Sequence, residues 1–529
     1  MFDILLQQVI LAPAILLLVT VLYQLLLRPT RLPNLPIIGA KEGEWFPLRR
    51  ARLRNTDLKK AIKDAYSKYK DQAVILPLTD FEDMVLLPAS DTQFVTDQPE
   101  SVLSMHESVM HRLQTDYTCM DPKLIHNPVH IDLITTTLTK QIGNLVPDIV
   151  DETKFAFEKY WGKPDEFTEI CVYDTIRRII GLATNRVLVG TPICRDPALL
   201  DTAVAYAKDL PPISRSLRLF WKPIRPLVAP YLTRPLRIHT AKFEKILLPE
   251  IKRRLMDYET RVAYPETKSV TQERNDFLEW SIEQAKTSGD PYLWQPETLA
   301  GRIHRLNNAA IHTSSFSVTG AVLDLAASRP EYIDELREEI STVLAEHDGE
   351  WNKQALAKME KLDSVFRESV RLNSFVTVGL NRVVTAKGGV TTPSGVHIPK
   401  GASICVPSYA VLQDSSIYED AQTFKPFRFA EARNEEGLDY VQRARKAFAT
   451  TSTDYLVFGH GRNACPGRFF AANELKLILA YLVMNYDIEQ LSTRPRNMWL
   501  GLNRIPSFRA TIRIKRRNIG TSLCTDGLK

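Results

Sequence analysis

The residues with the clearest chemical potential lie at 458–471, in FGHGRNACPGRFFA. Cys465 stands between Gly461 and Gly467, with Pro466 directly after it and an apolar helical pattern beyond. The glycines permit backbone geometry that a side chain would block. Pro466 suits the first position of a helix, which puts Cys465 at the N-cap and predicts a helix over 468–486. A helix start offers free N–H groups and the positive end of a dipole. Both favour a thiolate over a thiol. A zinc site needs about four ligands, yet the nearest other cysteine is Cys405 and the local histidine is His460. A catalytic cysteine and a buried structural cysteine stay open as readings. A single axial thiolate on haem iron fits best, since it asks for one sulfur on a rigid, donor-rich loop.

Phe458, Gly461, Cys465 and Gly467 also match the pattern Phe-x-x-Gly-x-x-x-Cys-x-Gly. On these residues the chain resembles the cytochromes P-450, over residues 32–517. The resemblance implies a mainly α fold with a small β lobe, preceded by one N-terminal transmembrane helix. It implies haem b with Cys465 as the iron ligand, held by a loop in which Phe458, Gly461, Asn463 and Gly467 approach the cofactor. The family carries Arg or His two residues before the cysteine, against a haem propionate. Here that position is Asn463, which donates a hydrogen bond but forms no ion pair.

Residues 296–327 hold no proline after the first position and stop before Arg329 and Pro330, which predicts a helix about 45 Å long. Its centre, NAAIHTSS, resembles the distal helix of the family, and more narrowly filamentous-fungal members, including those that oxidise diterpenoid skeletons. Thr313 matches the threonine beside the oxygen site, Ser314 the next hydroxyl, and Ala310 leaves room for dioxygen. A hydroxyl there can order water and pass protons. His312 replaces the usual acid, either as a proton relay or as a helical histidine satisfied by a polar neighbour.

Glu368 and Arg371 stand three residues apart, on one helical face. The resemblance implies that both are buried and joined by Arg428, in a charge network serving folding and haem retention. It also places Arg382 against a propionate. The helical Trp-x-x-x-Arg of many relatives is absent, with His130 and Lys140 offered as substitutes. Arg443, Arg445, Lys446, Arg462 and Arg468 cluster near the thiolate loop, either as a solvated surface or as a face for an acidic reductase. No fused flavin pattern is present, so NADPH-cytochrome P-450 reductase is the expected electron donor.

The remaining chain sets the context. Net charge is +6 over 529 residues, with 44% apolar and 25% charged, an ordinary globular balance that argues against nucleic acid. Six cysteines without paired spacing suit a reducing compartment. The apolar run at 4–27 would span about 36 Å as a helix, enough for a bilayer. Arg28 and Arg31 follow it, which keeps the body cytosolic; Ala12-Pro13-Ala14 offers the rival of a cleaved signal peptide. The expected organisation is an anchor at 1–28, a proline-rich hinge at 29–40, a monooxygenase domain at 41–517 and a disordered tail at 518–529. The expected location is the endoplasmic reticulum membrane, single-pass.

Helices are predicted at 57–69, 130–146, 172–189, 201–210 and 238–258, and a hairpin at 73–77 and 84–88. Residues 98–119 read as a polar loop over the substrate pocket. The aromatic and basic connection at 217–235 is expected to dip into membrane lipid and guide substrate inward. Residues 374–380 should be extended, 390–398 and 403–407 strands, 498–504 a last pocket turn and 506–516 closing strands. Together these imply a monooxygenase that inserts oxygen from O2 into a small apolar natural product, terpenoid or meroterpenoid. The alternatives are a haem-thiolate isomerase or peroxide-using enzyme without a reductase, and a non-catalytic membrane haem carrier or sensor.

Overall fold

Helical periodicity dominates the chain, and the computed structural model describes residues 15, 18–20, 22–23, 32–79, 83–264 and 274–517. The helices that frame the site are α1 (Met105–Leu113), α2 (Thr139–Tyr160), α3 (Val172–Val189), α4 (Pro197–Leu219), α5 (Arg234–Ala263), α6 (Phe277–Ser288), α7 (Pro296–Ala326), α8 (Glu360–Leu372) and α9 (Arg468–Asn485). α7 runs through the middle, against α3, α5, α8 and α9. Its apolar positions Ile303, Ile311, Val318 and Val322 are buried, as are Phe157, Ile176, Phe366 and Leu479 on the helices around it. Each such side chain contributes about 1.5–3 kcal/mol by leaving water. That continuous core fixes α7 and α9, the two elements carrying the candidate chemistry.

The β lobe is built on β1 (Val74–Leu76), β2 (Met84–Leu86), β3 (Leu103–Ser104), β4 (Gly379–Val384) and β5 (Ser403–Val406), in the order β1-β2-β5-β4-β3. β2 and β5 are parallel and the other pairs antiparallel. β1 and β2 are buried along their whole length, which explains their continuous apolar runs. The fold is thus mainly α with small sheets, as the sequence implied.

Several boundaries differ from expectation. The helix after the cysteine starts at Arg468 with Gly467 as N-cap, so Cys465 precedes the cap and Pro466 lies in the turn. The supposed loop at 98–119 contains α1, because Ser104 accepts the Glu107 N–H at 2.9 Å and caps a short polar helix. The helix expected at 130–146 continues to Tyr160 through a π-turn at Ile134–Leu138, and passes Pro147. α4 runs on past Pro211 and Pro212. Both prolines are exposed, so water can meet the carbonyls they leave free. The connection at 217–235 includes a helix, Arg225–Leu232. Strands at Val390–Thr391 and His397–Ile398 pair only with each other, while β5 joins the larger sheet.

The anchor expected at 4–27 lies largely outside the described residues, as does the tail at 518–529. Among the described residues, no helix is long and apolar enough to cross a membrane.

The charge network sits on α8. Glu368 and Arg371 are both fully buried. Arg371 Nε and Nη2 donate to Glu368 at 2.8 and 2.9 Å, and Arg428 Nε donates to it at 3.1 Å. Arg371 Nη1 spans the Leu412 and Ala421 carbonyls, at 2.6 and 2.8 Å. Glu368 thereby ties α8 to the loops preceding the cysteine. A second network was not legible in the sequence: Asp324 at the end of α7 accepts from Ser369 and Asn373, at 2.6 and 2.7 Å, and pairs with Arg494. Glu368→Ala leaves the guanidinium of Arg371 buried without a counterion. It should lower unfolding free energy by about 3–5 kcal/mol, measured by urea denaturation; an unchanged midpoint would contradict this account.

Candidate active site

The loop before α9 is shaped by backbone demands. Gly459 and Gly461 have φ of 70° and 68°. A Cβ on Gly461 would stand 3.1 Å from the Thr96 Cβ, so that position needs glycine on both counts. The Cys465 N–H donates to the Phe458 carbonyl at 2.7 Å, which closes the turn and holds the cysteine. Phe458 meets Phe448 edge-on at 5.1 Å. Burial pushes the Cys465 thiol above its ordinary pKa; the N–H groups of Gly467 and Arg468 and the Arg468 charge pull it back. The helix start therefore supplies the donors expected of it, but burial outweighs them and the Arg468 charge together.

Those features suit an iron-bound thiolate. A Cβ placed on Gly467 would meet nothing within 4 Å, so the backbone there is not crowded. Among the described residues no cluster of three His, Cys, Asp or Glu side chains could hold a metal ion, which leaves the four-ligand zinc reading without support there. Arg382, on β4, is 3% exposed, and its Nη1 donates to the Asn381 carbonyl at 2.9 Å. Burial lowers its pKa, opposed by the charge of Glu100.

Glu100 was not singled out from sequence, yet it links the predicted residues. Asn463 Nδ2 donates to it at 3.0 Å, and it receives the Met105 and His106 N–H groups at the start of α1, at 3.2 and 3.4 Å. Burial raises its pKa, but the donors Ser104, Met105, His106 and Asn463 outweigh burial and hold it below the usual carboxylate value. Asn463 is thus held by a carboxylate whose charge is also felt at Arg382. His130 is buried, with Nδ1 lacking a partner, whereas Lys140 is exposed. Arg443, Arg445 and Arg462 are exposed and Lys446 is half-buried. Arg468 packs over the Phe469 ring at 4.3 Å.

α7 separates its three polar candidates. Ala309 and Thr313 are exposed in the middle of an otherwise buried helix. They lie one turn apart, so one face of α7 is left uncovered there. Thr313 Oγ1 donates to the Ala309 carbonyl at 2.9 Å. Ser314 is buried. His312 turns to α3, where its Nδ1 lies 2.8 Å from the Tyr173 hydroxyl. Burial and then the Arg177 charge press its pKa down to about 4. Burial pushes Tyr173 up to about 12. Both are neutral at pH 7; His312 Nδ1 has the Tyr173 hydroxyl as neighbour, while its Nε2 is buried without a partner.

A comparison with known families matches the description "Cytochrome P-450" over residues 129–507. Cytochrome P-450 monooxygenase gloP of Glarea lozoyensis is 32% identical over 497 residues, covering 91% of this chain and 90% of that protein. Cytochrome P-450 monooxygenase 71 of Postia placenta is 34% identical over 84% of this chain and 86% of its own length. Cytochrome P-450 monooxygenase pbrC of Penicillium brasilianum is 30% identical over 92% of each. This chain accordingly belongs to the cytochrome P-450 family, oxidoreductases that incorporate oxygen from O2 and carry haem on a cysteine thiolate.

Proposed function

We propose that Cys465 is the haem ligand of a monooxygenase acting on a small apolar natural product, terpenoid or meroterpenoid. The observation that carries this reading is the Cys465 sulfur, held by a glycine-shaped turn and approached by the Gly467 and Arg468 N–H groups. Bound haem would supply iron-centred activation of O2, with thiolate donation favouring O–O cleavage. The residues around it do the rest. Phe458, Gly461 and Gly467 shape the cradle. Arg382 and Asn463 offer N–H groups to the propionates, with Glu100 fixing the Asn463 amide. Thr313 keeps its hydroxyl proton on the Ala309 carbonyl, leaving oxygen lone pairs free on the uncovered face. There it orients a water that feeds protons to the distal side. His312, held neutral by burial, supports that face through Tyr173 rather than by titrating near neutrality. Ser314 buries its hydroxyl beside it in the helix wall.

Electrons come from NADPH-cytochrome P-450 reductase, docking on the basic surface of Arg443, Arg445 and Arg462. Residues 1–28 form a single-pass anchor in the endoplasmic reticulum membrane, the hinge at 29–40 follows, and the domain at 41–517 stays cytosolic. Membrane contact is supported by apolar side chains at one place: Trp221, Leu227 and Tyr231 are exposed, and the Tyr23 ring lies 5.2 Å from Trp221. Lipid there would shield surface that water penalises.

Two measurements test this reading. Cys465→Ala should abolish the reduced carbon-monoxide spectrum of thiolate-ligated haem; a variant that keeps it would remove the assignment. Thr313→Ala should divert NADPH-derived electrons into hydrogen peroxide and cut product yield by roughly a hundredfold, the low end for a positioned proton donor. Product-to-NADPH stoichiometry reads this directly, and an unchanged ratio would exclude the proton role.

A further inference from the structure

The connection from α4 to α5 carries a charge pattern that the proposed chemistry does not use. Between Asp209 and Glu244 the chain holds seven Lys and Arg residues and no acid. Two of the seven turn inward: Arg225 donates to the Phe220 carbonyl at 3.0 Å and to Gln114 at 2.9 Å, and Arg218 donates to the Arg112 carbonyl. Arg215, Lys222, Arg234, Arg237 and Lys242 are exposed. Arg215 reaches Thr79, and Arg237 reaches the Pro230 carbonyl. Among the described residues, Lys222, Arg234 and Lys242 form no ion pair.

The flanking acids do little to offset this. Asp209 meets His239 Nε2 at 3.0 Å, and Glu244 is half-buried. The short helix Thr115–Thr118, which packs against Arg225–Leu232, adds one exposed acid, Asp116. The sum over this face stays positive.

Between its charges the same face is apolar. Leu227 and Tyr231 are 70% and 82% exposed, and Trp221 and Ile238 are exposed as well. Positions 234, 238 and 242 form one row along α5, so Ile238 stands between Arg234 and Lys242. The Tyr23 ring lies 5.2 Å from Trp221, which sets this face beside a residue of the apolar run at 4–27. Rings and aliphatic groups of this kind enter the headgroup boundary of a bilayer, while Lys and Arg keep their charged ends in the headgroup layer. A zwitterionic headgroup brings no net charge to such cations. An anionic one does, and each cation near an anionic leaflet strengthens attraction about fivefold.

We propose that this face docks on anionic phospholipid, with Lys222, Arg234 and Lys242 selecting the headgroup. This rests on the membrane-contact reading of the connection and deepens it from apolar contact to a class of lipid.

The full-length protein is reconstituted into vesicles of phosphatidylcholine with brominated chains, with or without phosphatidylserine. Tryptophan quenching lost in Trp221→Phe isolates the signal of Trp221. That signal should be about twofold stronger with phosphatidylserine at low salt. It should fall to the phosphatidylcholine level in about 1 M salt, where charges are screened beyond roughly 3 Å. A triple variant, Lys222→Gln with Arg234→Gln and Lys242→Gln, should keep the wild-type thermal melt and the phosphatidylcholine signal but lose the gain from phosphatidylserine. Equal quenching in both lipids, or a gain that survives the triple variant, overturns the headgroup inference and leaves the membrane contact standing. No Trp221 quenching in either lipid removes the contact itself. If lipid charge has no effect and the triple variant instead weakens reductase binding in detergent, the cations serve an acidic protein and the lipid inference falls.

Discussion

The hydrogen bond from the Cys465 N–H to the Phe458 carbonyl is the constraint on which the site depends. It closes a turn whose glycines take conformations that other residues resist, and it sets the sulfur just ahead of α9. Burial alone would keep that sulfur protonated. The donors at the helix start and the Arg468 charge act against burial without reversing it.

The rest of the fold holds this loop still and faces it with a helix. Glu368 and Arg371 fasten α8 to the carbonyls of Leu412 and Ala421, so the segment leading to the cysteine cannot drift. Asp324 does the same for the end of α7, through Ser369 and Asn373. Glu100 joins the cysteine loop to the start of α1. Glu368 and Asp324 are buried charges met by several donors, and Glu100 is an exposed one met by three. Such sites are worth little when intact compared with a well-packed apolar alternative, but they cost much when broken. Their contribution is therefore to register and orientation.

Local grammar made part of this legible. The cysteine loop, α7 and the Glu368–Arg371 spacing are short-range patterns, and the structure places them close to where periodicity and capping put them. Longer-range facts were hidden. Glu100 looks like any surface acid until Asn463 folds back onto it. α1 is polar enough to read as a loop, and its Ser104 cap, the Glu100 carboxylate and packing against β4 and α4 stabilise it as a helix. Pro211 and Pro212 signal a break that solvent exposure makes affordable.

The account comes down to one sulfur on one iron. X-ray absorption at the iron edge of the purified ferric protein tests this most directly. A single sulfur scatterer in the wild type, replaced by light atoms in Cys465→Ser, is the predicted result. A wild-type spectrum with only nitrogen and oxygen around iron, or a sulfur that survives the substitution, would contradict it.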